Sequence, residues 1–331
     1  MKLFTWGGLY GLPSFSADDL IVISYLNALD ISFELVPSNN IYLTPYKELP
    51  VLEHRNKRVS GCEGIIAYLK SGGFNLDADL SATGSALNVL LVNYMSHYLK
   101  IVTDFNQCFH RQNFDDQFRP GFVSFAPFPH QYYLPFLYRS DSKHRAIAKG
   151  IDFHMESDAT FNAGKTRPVF PSGQAKIEEA RAFYSKYKPA QDESARYAFD
   201  NTKLRKKVNL DAEPTSTFRA LLLAEEVYSV LNHYIESTPR TADSVHLIEN
   251  RLTTADIYLA VHLILQYQVS YPNNFLKHFI DFQFPELKRF SDMYTPKELW
   301  GDIPGKNIRL SDPKPSESIS ILSAIRSFLA R

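Results

Sequence analysis

Three side chains near the N-terminus carry groups that could take part in chemistry: the hydroxyls of Tyr10 and Ser14 and the thiol of Cys62. Cys62 follows Gly61 at the predicted start of a helix, where a thiol pKa tends to fall and the nucleophilic thiolate is favoured. The alternative, a small buried residue, is the favoured interpretation because a free cysteine usually packs as one. No C-x-x-C pair occurs in the sequence, which excludes a thioredoxin-type redox role.

Metal and cofactor sites are not predicted. His97 and His110 do not reach the spacing of metal ligands, and His130, His144 and His154 are scattered without an identifiable carboxylate partner. Two cysteines in a chain of this length make neither a disulfide framework nor a zinc site, and they favour a reducing compartment. We therefore expect no metal, no cofactor and no catalytic residue.

Composition and charge narrow the class of partner. The chain has 331 residues, enough for two domains, and 44% of them are hydrophobic. Lys plus Arg equals Asp plus Glu at 36 each, so no global charge favours a nucleic-acid partner. The N-terminus does not read as a signal peptide, and no apolar run reaches the roughly 18 residues of a membrane-spanning helix. Membrane contact would therefore be peripheral or through a partner.

The elements that must position these residues begin with an α/β pattern over 1–73. Ser16 and Asp19 are predicted to form an N-terminal capping pair for the first helix. Pro50 lies inside an apolar strand, which implies an edge, a bulge or a cis bond and makes it a fold-determining residue. The order predicts a thioredoxin-like domain: a strand at 3–6, a helix at 17–29, a strand at 31–37, a hairpin over 49–59 and a helix from 63 to a glycine stop at 72–73.

The rest of the sequence is predicted to be helical. Residues 74–80 are interpreted as a linker, 81–310 as an all-α domain with helical patterns at 174–188 and 217–237, and 311–331 as a tail with a short helix. Thr253 and Asp256 open a buried helix as its cap and are fold-determining. The polar segment 192–217 reads as a mobile connection or a solvated helix extension. Its basic run, Lys203–Lys207, is more often a solvated face than a site for acidic lipid or an acidic receptor segment.

The sequence contains two apolar segments whose contacts it does not decide. The proline-rich stretch 120–138 could be core or a surface for a partner subunit. A stripe from Ile319 to Leu329 could dock on the protein itself or lie on a membrane, and docking is favoured because only Arg326 and Arg331 are basic. The candidates for the partner interface are Phe122, Phe125, Phe128, Tyr132 and Tyr133.

An α/β domain with a proline in its hairpin, followed by a helical domain with a buried T-x-x-D helix, resembles the glutathione S-transferase architecture. Within that group the chain resembles the metaxin family over about 1–140, and again near 250–270. The stretches that carry this resemblance are Leu3–Gly8, Gly11–Ser14, Leu49–Leu52, Phe74–Ser81 and the region of Phe128 and Pro129.

The resemblance implies a non-catalytic subunit of the sorting and assembly machinery, peripheral on the cytosolic face of the mitochondrial outer membrane. Its implied partners are a membrane β-barrel core subunit, a second transferase-like subunit, β-barrel precursors bound transiently, and receptor subunits of the outer-membrane translocase. Within the machinery, the chain resembles the subunit that supports precursor release and docking to the translocase.

The alternative that the sequence leaves open is a glutathione-dependent transferase. Pro50, Tyr10 and Ser14 support it. A transferase of this fold needs a Glu/Gln-Ser pair at the start of the helix after the hairpin, and this chain has Gly61-Cys62 there. We therefore expect recognition of the glutamyl end of glutathione to be lost.

Overall fold

The computed structural model describes residues 1–153, 212–237 and 246–320. The N-terminal region is a small mixed sheet with two helices, and the remainder is mostly helical. The N-terminal elements are β1 (Lys2–Phe4), α1 (Ala17–Ala28), β2 (Phe33–Val36), a 3-10 turn (Ile41–Leu43), β3 (Val51–His54), β4 (Lys57–Ser60) and α2 (Cys62–Ser71).

The helical part begins with a long run in which α-helical and π-helical turns alternate. The α-helices of the whole helical part are α3 (Ala82–Tyr94), α4 (Lys100–Asp104), α5 (Arg111–Asn113), α6 (Arg119–Gly121), α7 (His130–Ala148), α8 (Ala212–Ser237), α9 (Thr254–Leu263), α10 (Phe275–Gln283), α11 (Pro285–Met293) and α12 (Pro296–Trp300). The π-helical turns are Met95–Leu99, Phe105–Phe109, Phe114–Phe118 and Ile264–Gln268, and Phe122–Ser124 is a 3-10 turn. No helix of the described residues is both long and apolar enough to cross a membrane.

The sheet has a fifth strand that the sequence analysis did not predict. Residues 308–310, assigned there to the helical domain, form β5 (Ile308–Leu310) and pair in parallel with β2. The strand order is β4-β3-β1-β2-β5, with β1 parallel to β2 and antiparallel to β3. Ile308 is buried opposite Phe33, so the return of the chain completes the hydrophobic face of the sheet. The pattern was missed because three residues are too few to show an alternation.

Asp19 does not act as the predicted capping partner. Ser16 is the N-cap residue of α1, but its side chain makes no capping hydrogen bond. Asp19 is fully buried and instead accepts hydrogen bonds from the Trp6 amide at 2.8 Å and from the Ser14 hydroxyl at 2.6 Å. Its carboxyl group therefore ties the end of the first strand to the first helix, across the loop between them.

The buried helix α9 starts at the predicted cap. Thr253 accepts from the Asp256 amide, and Asp256 accepts from the Thr253 amide at 2.8 Å, which forms a capping box. Burial raises the pKa of Asp256 to about 7. The Thr254 amide donates to Asp77 at 2.9 Å and the Ala255 amide to Asn88 at 3.0 Å. The first amides of α9, which have no partner within the helix, are thus satisfied by three different segments.

Some predictions fall on parts of the chain that lie outside the described residues. These are the helical pattern at 174–188, the basic run Lys203–Lys207 and most of the polar segment 192–217, together with the tail after Ser320. Residues 212–217 of that polar segment are described, and they form the first turns of α8 rather than a connection.

Candidate functional site

A cleft of about 470 Å³ opens between the sheet domain and the helical part. On the sheet-domain side the cleft is lined by Ser60–Gly64, where β4 ends and α2 begins. The Leu49–Pro50 peptide bond is cis, and the Pro50 carbonyl accepts a hydrogen bond from the Gly61 amide at 2.9 Å. Pro50 is buried, so it fixes the entry to β3 and the position of the α2 start relative to it.

The cations that line the cleft are already engaged by the protein. Lys100 forms an ion pair with Asp18, and Arg145 lies 3.3 Å from the carboxylate of Asp104. Burial disfavours the charge of Lys100, but the carboxylate of Asp18 outweighs it and raises the pKa. Lys149 donates to the carbonyl of Ser96 at 3.0 Å. Lys100 and Arg145 are thus paired with carboxylates, whereas Lys149 is held by a backbone carbonyl.

A carboxylate of the protein occupies the mouth of the cleft at the start of α2. Glu48 accepts a hydrogen bond from the Ser60 hydroxyl at 3.1 Å. Its Oε1 atom lies so close to Gly61 that a Cβ there would approach it to 2.9 Å, and Gly61 has a φ of 78°. A helix N-terminus ordinarily attracts an anion. Here the negative charge of Glu48 disfavours a second carboxylate at the same place.

Cys62 is a buried residue, as the favoured interpretation held. Its side chain packs with its sulfur 3.3 Å from the Tyr258 hydroxyl. Burial raises the pKa of the thiol, so the thiolate is suppressed in spite of the nearby helix N-terminus. His262, deeper in the cleft, has its pKa lowered to about 3 by burial. Neither group is in the charge state that a nucleophile or a general acid requires at neutral pH.

The two candidate hydroxyls do not line this cleft. Ser14 is fully buried and donates to Asp19. Tyr10 packs its ring against Tyr271 with centroids 5.3 Å apart, and burial raises the pKa of its hydroxyl. The structure therefore does not bring Tyr10 or Ser14 into the cleft that Cys62 lines.

The candidate interface residues separate into core and surface. Phe122 is fully buried and its ring packs against Phe15 at 5.2 Å, so it offers no surface to a partner. Phe125 and Tyr133 are half-buried. Phe128 and Tyr132 are exposed by 77% and 61%. Sequence reasoning could not separate them, because the prolines interrupt the periodicity that normally marks the buried face.

Within residues 1–153, 212–237 and 246–320, no group of three or more His, Cys, Asp or Glu side chains could hold a metal ion.

Comparison with known proteins finds that the chain is similar to one family model and to several metaxins. The model of the family described as "Outer mitochondrial membrane transport complex protein" matches residues 20–139. Metaxin-1 of Mus musculus is 28% identical over 136 residues, which are 41% of this chain and 43% of that protein. Metaxin-1 of Homo sapiens is 29% identical over 136 residues, or 29% of its length, and Metaxin-3 of Xenopus laevis is 24% identical over 135 residues, or 44% of its length. The matched stretch thus spans less than half of these relatives.

Proposed function

We propose that the chain is a member of the metaxin family and a non-catalytic subunit of the mitochondrial sorting and assembly machinery, on the support of the similarity over residues 20–139 and to Metaxin-1 and Metaxin-3. In this proposal the chain has a glutathione S-transferase-like fold and supports the insertion and release of β-barrel precursors. It lies on the cytosolic face of the outer membrane, without crossing it, and contacts a membrane β-barrel core subunit, a second transferase-like subunit and receptor subunits of the import translocase.

The observation that carries the non-catalytic part of the proposal is the chemistry at the start of α2. A transferase would hold the glutamyl end of glutathione there with a carboxylate or amide and a hydroxyl. This chain has Gly61, a buried Cys62 and the carboxylate of Glu48 at that place. The carboxylate of Glu48 would repel a second carboxylate at this place. Lys100 and Arg145 are already paired with carboxylates of the protein. A scaffold needs none of these groups in a reactive state.

The alternative function, a glutathione-dependent transferase, is supported by the position of the buried Pro50, whose carbonyl accepts a hydrogen bond from the Gly61 amide at the start of α2. Retention on immobilised glutathione distinguishes the two functions. We expect the chain to pass through the resin. Firm retention that free glutathione competes away would support the transferase and contradict the scaffold.

Affinity purification from gently solubilised mitochondria tests the scaffold directly. We expect the tagged chain to bring down a membrane β-barrel subunit and a second transferase-like protein, identified by mass spectrometry. A chain that is absent from mitochondria, or recovered alone, would overturn the proposal.

A matched pair of variants separates chemistry from folding in the same preparation. Cys62→Ala removes the sulfur at the cleft, and we expect β-barrel precursors to assemble at the level of the unmodified chain once the amount of folded protein is equal. Asp256→Ala weakens the cap of α9, and we expect assembly to fall together with the amount of folded protein. Loss of assembly in folded Cys62→Ala would assign a chemical role to the thiol and contradict the scaffold.

A further inference from the structure

The cleft between the sheet domain and the helical part has two walls that carry charges without partners. On the sheet-domain wall, Glu48 and Glu63 pair with no cation among the described residues, and Glu48 accepts one hydrogen bond, from the Ser60 hydroxyl. On the helical wall, Lys149 pairs with no described carboxylate and donates to two backbone carbonyls, at 3.0 and 3.3 Å. The cleft thus presents an anionic wall and a cationic wall to its contents.

Glu63 and Lys149 face the same space without joining. Glu63 lies in the first turn of α2, and Lys149 directly follows the end of α7. Burial lowers the pKa of Lys149, and so does the nearby charge of Lys100, whereas the carboxylate of Glu63 acts in the opposite direction. The two charges therefore interact across the cleft, yet no ion pair between described residues joins them. A molecule that carries both signs of charge would bridge them.

Two further cations strengthen the positive wall. Lys100 is paired with Asp18. Arg145 is paired with Asp104. Together with Lys149, the wall holds three cations against these two carboxylates. Among the described residues only the Nη2 atom of Arg145 is bonded, so its other N–H groups remain available. A phosphate has more acceptor oxygens than a carboxylate to take up several such donors.

The floor of the cleft contains a buried ring nitrogen without a partner. His262 lies on α9, is only 1% exposed and lines the cleft. Its Nδ1 atom is 2.8 Å from the Thr103 hydroxyl, and no described residue bonds its Nε2 atom. A buried polar group without a partner costs free energy. The Nε2 atom is therefore available to a molecule in the cleft, and this observation is independent of the charged walls.

The charges of the walls select among classes of ligand. An anion alone would be repelled by Glu48 and Glu63, and a cation alone by Lys149 and the net positive charge beside it. An apolar molecule would bury these charges without a partner, which is unfavourable. A molecule that carries both signs, on groups several bonds apart, suits both walls. The cleft volume of about 470 Å³ lies within the range of about 300–1,000 Å³ that is usual for small-molecule sites.

We propose that the cleft binds a zwitterionic phosphodiester with a primary amine, its ammonium between Glu48 and Glu63 and its phosphate at Lys149. A primary ammonium has three N–H donors, enough for both carboxylates and one further acceptor. The head group of phosphatidylethanolamine and its soluble glycerol diester share this chemistry. Glutathione differs, because its glutamyl end would place a carboxylate beside Glu48. The inference concerns the cleft alone and does not depend on the proposed function.

Isothermal titration calorimetry of the purified full chain with glycerophosphoethanolamine tests the proposal. We expect saturable binding at a single site. Ethanolamine alone and inorganic phosphate alone each satisfy one wall and meet repulsion at the other, so we expect each to bind at least about tenfold more weakly. Inorganic phosphate that binds as tightly as the diester would overturn the proposal, and so would the absence of saturation below about 10 mM diester.

Variants of the two walls test the placement of the charges. Glu63→Gln and Lys149→Met each remove one unpaired charge, and we expect each to weaken binding of the diester at least about fivefold. Asp116→Asn and Lys143→Met are the matched controls, because both side chains are exposed and neither lines the cleft. Circular dichroism checks that all four variants are folded. Folded wall variants that bind as tightly as the control variants would contradict the proposal.

Vesicle flotation distinguishes the two sources of the ligand. Flotation with vesicles of phosphatidylcholine and phosphatidylethanolamine, but not of phosphatidylcholine alone, would support the proposal with the lipid head group as ligand, provided that Glu63→Gln abolishes it. Binding of the soluble diester without flotation would support the proposal with a free phosphodiester as ligand. Flotation that Glu63→Gln and Lys149→Met leave unchanged, together with no binding of the diester, would overturn it.

Discussion

The capping box of α9 gives the sharpest test of the packing that holds the helical part together. Asp256 is fully buried and accepts hydrogen bonds from the Leu247 amide at 2.7 Å, the Thr253 amide at 2.8 Å and the Thr253 hydroxyl at 2.7 Å. Asp256→Ala removes all three acceptor contacts. Two buried amides, those of Leu247 and Thr253, are then left without their acceptor.

The expected loss of unfolding free energy follows from the two amides that lose their acceptor. Each buried donor without an acceptor costs roughly 1–3 kcal/mol, so we expect Asp256→Ala to lower the free energy of unfolding by about 4 kcal/mol. The chain also contains an exposed copy of the same motif, in which Glu298 accepts from the Thr295 amide at 3.2 Å. Water replaces Glu298 once it is removed, so Glu298→Ala should cost only about 0.5–1 kcal/mol.

Urea unfolding followed by far-ultraviolet circular dichroism measures both variants against the unmodified chain. We expect a large fall of the transition midpoint for Asp256→Ala and a small one for Glu298→Ala, with similar slopes. Equal losses in the two variants, or a loss below about 1 kcal/mol for Asp256→Ala, would refute the reasoning, because burial would then have no effect on the cost of an open cap.

Two further predictions concern the loop after β1 and the Asp19 carboxyl group of α1 that binds it. Gly7→Ala should lower the unfolding free energy by about 1–3 kcal/mol in the same urea assay, because the new Cβ would overlap the ring of Phe125. The control is Gly64→Ala in α2, whose Cβ would meet only Val59 at 3.8 Å and which should be neutral or stabilising by up to about 1 kcal/mol. A Gly7→Ala midpoint at or above that of Gly64→Ala would contradict the close contact. Burial raises the pKa of Asp19 to about 8, so the folded state keeps a proton that the unfolded state releases above about pH 4. The unfolding free energy of the unmodified chain, relative to that of Asp19→Asn, should therefore fall by up to about 1.4 kcal/mol per pH unit from pH 5 to 8. A difference that is constant over that range would show that Asp19 is ionised in the fold.

Local patterns were sufficient where a residue's role depends on its immediate neighbours. Thr253 and Asp256 were predictable as a cap because both partners lie within one helical turn. Pro50 was predictable as a special position because proline cannot donate to a strand ladder. The buried state of Cys62 followed from the ordinary behaviour of a free cysteine, and its contact with Tyr258 explains it.

The errors arose where distant segments meet. Asp19 has the spacing of a capping residue, but the Trp6 amide and the Ser14 hydroxyl compete for its carboxylate, and no local pattern records that competition. Phe122 and Phe128 look alike in a proline-rich stretch, although one is fully buried and the other is 77% exposed. The separation of the candidate hydroxyls from the cleft likewise depends on how the first loop packs against the helical part.

The pairing of β2 with β5 affects how this protein can be made. Phe33 and Ile308 lie side by side, yet nearly the whole chain separates them in sequence. During synthesis the sheet therefore stays incomplete until residues 308–310 have left the ribosome. Until then β2 presents an open edge, with Phe33 and Leu35 exposed on it, and such edges pair readily with other chains. A cell must protect the nascent chain for longer than an independent N-terminal domain would need.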